Sequence, residues 1–109
     1  MIRRNAVLAA VLLAVPLRPA AAEEPKRSAL WEANCTVCHG EDGRAQTEEG
    51  RKKKARNLAD PRWQESVSDD RLLRSITRGR EDMPSFGRKL SEEQIKALIA
   101  EIRSFVPKK

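Results

Sequence analysis

Cys35-Thr36-Val37-Cys38-His39 contains both cysteines and the only histidine of the chain. Two thiols separated by two residues, with an imidazole directly after the second, have the spacing used for covalent haem attachment. The sulfurs add to the two vinyl groups on one edge of the ring, and the imidazole comes up beneath the iron as an axial ligand. One covalent haem c, bound through Cys35 and Cys38 with His39 on the metal, is the expected cofactor.

Iron in a closed electron-transfer site needs a second axial donor. The chain has no further histidine, no further cysteine and no tyrosine, and its only methionine besides Met1 is Met83. A lone methionine is often core filler, but Asp82 and Ser85 flank this one with polar residues, so it reads as a loop residue. Pro84 stiffens that loop. A thioether opposite an imidazole raises the reduction potential; Lys89 would first have to lose a proton before binding iron. His39 and Met83 are therefore the expected axial pair. Other chemistries use the same residues less well. Structural zinc wants four ligands in spaced pairs, and Cys35, Cys38 and His39 have no second pair. A thioredoxin-like dithiol would need a βαβ setting that the sequence lacks. A haem enzyme or gas sensor remains the alternative, and it requires an open or displaceable distal position in place of Met83.

These side chains need elements to position them. Ser28 can cap a helix over about residues 27–37, with Ala29, Leu30, Ala33 and Val37 at helical spacing and Gly40 just past its end. The haem motif then sits on the last turn. Residues 41–59 form a long polar stretch with Gly43 and Gly50, of the kind that is functional or wraps round something. It contains Arg51-Lys52-Lys53-Lys54, either a solvated run or a docking patch for an acidic partner. Residues 62–66 read as one short helical turn. Ser68 or Asp69 caps a further helix whose stripe is Leu72, Leu73 and Ile76 and which Gly79 stops. Residues 80–90 form the loop that holds Met83. Ser91 and Gln94 make a capping box, followed by Ile95, Leu98, Ile99, Ile102, Phe105 and Val106 on one helical face, and Pro107 ends it. The fold class is all-α: three main helices and long loops. The expected haem wall is Val37, Leu58, Leu72, Leu73, Ile76, Phe86, Leu90, Ile95 and Leu98.

Residues 1–22 carry the pattern of a secretory signal peptide: Arg3 and Arg4, an apolar run of ten residues from Ala6 to Val15, Pro16, then Ala20-Ala21-Ala22. Ten apolar residues are too few to span a bilayer, so cleavage after Ala22 and a periplasmic location are expected, with no membrane span in the mature chain. Losing Arg3, Arg4 and Arg18 lowers the formal net charge from +6 to +3. Two haem propionates would bring it near neutrality, so no nucleic-acid partner is expected. Residues 23–27 read as a mobile tail, 28–107 as the haem domain and 108–109 as a C-terminal tail. A chain this short rarely stabilises itself on its core alone, and a covalently held apolar plate is the staple it needs.

Together, Cys35-Thr36-Val37-Cys38-His39 and Met83-Pro84 resemble the two signatures of class I c-type cytochromes, small monohaem His/Met electron carriers. The resemblance covers Ser28 to Val106. It implies the cytochrome c fold wrapped around one covalent haem. It also implies that Trp31, four residues before the first cysteine, packs where the terminal helices cross, against Leu98, Ile99 or Ile102. The stretch from Ala55 to Gln64 resembles a loop in bacterial members, where Trp63 would donate its indole N–H to a haem propionate and Arg56 would help neutralise one. The chain departs from the family in having no proline between Gly40 and Asp60 to offer a carbonyl to His39; a carbonyl within residues 54–56 is expected instead. The implied function is that of a periplasmic electron carrier, not itself an enzyme. It would pass electrons from a dehydrogenase to an oxidase or other acceptor protein, as a monomer or as one subunit of a redox complex.

Overall fold

A computed structural model describes residues 27–107, together with residues 10, 11 and 14. The leader expected over 1–22 and the tails expected over 23–27 and 108–109 thus lie, apart from those positions and Arg27, outside the described residues. Six helices follow one another: α1 (Ala29–Asn34), α2 (Thr36–His39), α3 (Glu48–Lys52), α4 (Pro61–Ser66), α5 (Asp69–Arg78) and α6 (Glu92–Ser104). The only extended pairing among the described residues is an isolated bridge between Arg80 and Met83. The fold is all-α, as expected, but with three more helical segments than the three main helices read from the sequence.

The long helices form where caps and apolar stripes coincide. Ser91 accepts from the Gln94 amide while Gln94 Oε1 accepts from the Ser91 amide, which completes the capping box of α6. Ile95, Leu98, Ile99 and Ile102 then fall on its buried face, each side chain contributing about 1.5–3 kcal/mol through burial. Ser68 caps α5 with Asp69 and Asp70 in its first turn, and Gly79 at φ 77° ends it. Packing of α5 on α6 and of α1 on α6 forms the frame. Trp31, with 0 % of its surface exposed, fills the crossing. Its ring meets Phe105 edge-on at 5.0 Å, and it shares one apolar cluster with Leu98, Ile99 and Ile102.

A polar tie stiffens the opposite side of α6. Gln64, buried on α4, donates from Nε2 to the carbonyls of Leu58 (2.8 Å) and Ile102 (2.7 Å). Arg103 donates to the carbonyls of Gln64 and Val67, both at 2.6 Å, and to Asp69 at 2.9 Å. The α4–α5 junction has several backbone acceptors with no helical partner, and one guanidinium serves three acceptors there at once.

The first helix is interrupted where the sequence gives no sign of a break. Cys35, at φ −119° and ψ −33°, separates α1 from α2. Its amide still donates to the Trp31 carbonyl and its carbonyl accepts from His39, so the helical path resumes at once. The stretch over 41–59, expected without regular structure, contains α3. Thr47 caps it, its hydroxyl oxygen accepting from the Gly50 amide at 2.9 Å. The hydroxyl proton of Thr47 points at the carbonyls of Val37 (2.8 Å) and Cys38 (3.1 Å), which ties α3 to the haem motif.

Candidate functional site

The thiols and imidazole come from the α1–α2 turn, and the thioether from the loop after α5. All four groups line one cavity of about 530 Å³, and so do Trp63 and Arg56. The expected attachment thiols, axial ligands and propionate contacts are thus all brought to this single space. Its apolar wall is Val37, Leu58, Val67, Leu72, Ile76, Phe86, Leu98 and Ile102, with Trp31 at its back.

Three residues expected in that wall are elsewhere. Leu73, Leu90 and Ile95 do not line the cavity; they belong to the apolar cluster behind it. The cavity meets the C-terminal half of the α6 stripe, so Leu98 and Ile102 reach it and Ile95 does not. Val37 does line it but is 63 % exposed, at the mouth.

His39 is oriented from outside its own helix. Its Nδ1 lies 3.1 Å from the Arg56 carbonyl oxygen. A carbonyl can only accept, so Nδ1 carries the proton and Nε2 keeps its lone pair for a metal. This acceptor lies in the stretch where the missing proline made one necessary. Burial lowers the pKa of His39, against a smaller opposing effect of that hydrogen bond. The neutral imidazole is the form that binds iron. Trp31 secures the end of the same turn, its Nε1 donating to the Gly40 carbonyl at 3.0 Å.

Cys35 and Cys38 are both free thiols. Burial, with Glu101 and Cys38 nearby adding to it, pushes the Cys35 thiol up to about 12. A redox-active dithiol needs a depressed pKa that yields thiolate. The raised Cys35 thiol runs opposite to that requirement. Among the described residues no cluster of three or more histidine, cysteine, aspartate or glutamate side chains could hold a metal ion.

Met83 sits in a tight loop. Arg80 and Met83 exchange backbone hydrogen bonds at 3.1 and 2.9 Å, across a turn with Glu81 at φ 52°. The chain then returns to α5, with the Phe86 amide donating to the Ile76 carbonyl and the Gly87 amide to that of Thr77. Both bonds anchor the loop within four residues of the thioether. A Cβ on Gly79 would lie 2.8 Å from the Met83 carbonyl oxygen, so the approach of the loop to the end of α5 depends on glycine.

Arg56 and Trp63 lie side by side, the guanidinium 5.4 Å from the indole centroid. Three contributors escaped the sequence reading. Gly50 is buried, and a Cβ there would collide with the Cys38 carbonyl and stand 2.9 Å from that of Ala45. Its small size lets α3 lie directly on the haem motif; the signal available was a glycine inside a capped, acidic-first segment. Thr47 is the cap of that segment. Asn34 also lines the cavity, its Oδ1 buried with no hydrogen-bond partner; nothing in the sequence marks it.

The cavity fits a haem on its donor set: two thiols and an imidazole on one turn, a soft thioether on a fixed loop, and an apolar wall otherwise. An all-α shell with this attachment motif defines a c-type cytochrome. More narrowly, residues 22–100 match the family described as cytochrome c oxidase, cbb3-type, subunit III, and the chain belongs to that family. Its similarity extends to the cbb3-type oxidase subunit FixP of Azorhizobium caulinodans, 39 % identical over 74 residues, which cover 67 % of this chain and 24 % of that protein. FixPc of Rhizobium leguminosarum bv. viciae is 29 % identical over 90 residues, covering 82 % of this chain and 29 % of the relative. The chain thus spans 24 % and 29 % of the length of these curated relatives. Among solved structures, the KustC0563 c-type cytochrome superposes with a TM-score of 0.68 at 39 % identity, over 72 % of this chain and 94 % of that one. The chain is a class I c-type cytochrome domain with covalent haem c, and its work is electron transfer.

These relatives correct one expectation. The chain is expected from its sequence not to be an enzyme itself, but both curated relatives are named as subunits of an oxidase, and the family itself is described as an oxidase subunit. A domain can carry electrons for an enzyme without holding the centre that converts substrate.

Proposed function

We propose that this chain is an electron-delivering haem c domain that serves a cbb3-type oxidase, with Cys35 and Cys38 as the attachment thiols and His39 and Met83 as the two axial ligands. The observation that carries this reading is the gathering of all four groups in one apolar cavity. When bound, the haem supplies a one-electron couple, its iron alternating between Fe(II) and Fe(III).

The chain's own residues account for the rest. The Arg56 carbonyl holds the Nδ1 proton of His39, which fixes the tautomer and aims Nε2 into the cavity. Met83 offers an uncharged sulfur, which favours the reduced state. Leu58, Leu72, Ile76, Phe86, Leu98 and Ile102 exclude water, so a charge change inside is felt strongly and reorganises little solvent. Arg56 and Trp63, both on the cavity lining, are positioned to meet propionate groups. Val37 at the mouth leaves an apolar spot open to a partner. The leader pattern over 1–22 supports a periplasmic place of work. No helix among the described residues is long and apolar enough to cross a membrane.

Replacing Met83 tests the ligand assignment. Met83→Ala should lower the reduction potential of the haem-loaded protein on the order of 100 mV, within the ~0.8 V range that axial ligands control. A potential equal to wild type would remove Met83 from the iron.

A further inference from the structure

A second, smaller pocket lies between α5 and the start of the Met83 loop. Its volume is about 200 Å³, and Arg71, Arg74, Ser75, Arg78, Gly79 and Arg80 line it. Four of these six residues are arginines. Of the four, Arg74 alone has a carboxylate partner among the described residues, Asp70 at 3.4 Å. Glu81 and Asp82 follow in the chain and line the larger cavity, but not this pocket.

We propose that this arginine-lined pocket is the surface on which an acidic redox partner protein docks. The inference rests on the electron-transfer reading above and names the face through which it operates. Continuity is the first argument: Arg71, Ser75 and Arg80 line both the pocket and the larger cavity. A partner seated here therefore sits at the rim of the redox site, beside the loop that carries Met83. Spacing is the second. Residues 71, 74 and 78 share a face of α5 and extend about 10 Å at 1.5 Å per residue. That row is too long to converge on one phosphate, and it matches a row of carboxylates on an opposing protein. Chemistry is the third, because arginine forks bind carboxylates in a bidentate way and are enriched at protein interfaces.

The lysine run over 51–54 makes a poorer surface. Lys53 is already paired with Glu49 at 3.6 Å, and Glu48 and Glu49 lie on the same short helix. α5 carries Asp69 and Asp70 in the same way, so what separates the two is the pocket beside the Met83 loop, which no residue of the run lines.

The test compares two variants of equal charge in the haem-loaded protein. Arg74→Gln/Arg78→Gln removes two positive charges from the pocket, and Arg51→Gln/Lys52→Gln removes two from α3. Each reduced protein is mixed with anionic tris(oxalato)cobaltate(III), and separately with cationic tris(phenanthroline)cobalt(III). In both reactions one electron leaves the protein and reduces one Co(III) to Co(II). At low ionic strength the α5 variant should react at least about threefold more slowly with the anionic oxidant and faster with the cationic one, both shifts fading at high salt. The α3 variant should shift both rates far less. Opposite signs with the two oxidants are something a merely damaged fold would not produce, and Arg78→Gln alone should show the same signs at smaller size. A hexaglutamate peptide should slow the wild type with the anionic oxidant and leave the α5 variant unaffected. Equal shifts in the two variants would overturn the proposal, as would indifference to the peptide. Saturable binding of inorganic phosphate that depends on Arg74 and Arg78 would also overturn it, in favour of a small-oxyanion site. A haem-loaded protein that passes no electron to either oxidant would instead overturn the electron-transfer reading itself.

Discussion

His39 shows how much of a metal site is decided by groups that never touch the metal. Its ring is aimed by the Arg56 carbonyl, and burial keeps it neutral by lowering its pKa from the ordinary 6.5. Linkage gives this a sign. A depressed folded-state value means that the unfolded chain binds the extra proton first as pH falls. The stabilising contribution is therefore complete above 6.5 and is lost as pH drops through the folded value. His39 is the only histidine, and ordinary carboxylates titrate near 4. A fall in the urea midpoint as pH drops from 6.5 toward the carboxylate range should therefore report His39, and iron ligation acts in the same direction. A midpoint that stays flat across that window would show that the imidazole is not held neutral. The identities of Cys35, Cys38, His39 and Met83 as the candidate set could be read from the sequence, because residue type and spacing alone carry that chemistry. The orphaned Oδ1 of Asn34 could not, since burial is a property of the packed site.

Among the elements, α5 and α6 were legible because cap, stripe and stop agree: Ser68 with Gly79, and Ser91 with Gln94 and Pro107. The short helix α3 was hidden, since Glu48–Lys52 presents no apolar stripe and its one buried residue is Gly50. It earns its place through hydrogen bonds from Thr47 and through contact with α2, neither of which leaves a hydrophobic pattern. The break at Cys35 and the Gln64–Arg103 tie were hidden for a related reason: polar residues read as solvated until their backbone partners are in place. The α2–α3 packing gives an element-scale prediction. Gly50→Ala should force α3 off the Cys38 carbonyl and cost about 1–3 kcal/mol, the usual range for overpacking. Chemical denaturation of the haem-loaded protein measures it. An unchanged midpoint would mean that α3 rests loosely on the motif.

For the molecule as a whole, a helical frame of α1, α5 and α6 supports the attachment motif at the α1–α2 turn and the loop that carries Met83. The chain belongs to a family described as a subunit of cbb3-type cytochrome c oxidase. Its basic face on α5 gives the direction from which a partner would approach. The central claim is that both axial positions of the iron are closed by the chain. Adding carbon monoxide to the reduced, haem-loaded protein at neutral pH tests it most directly. The wild-type spectrum should stay unchanged while Met83→Ala takes up the gas; ready binding by the wild type would contradict the closed site.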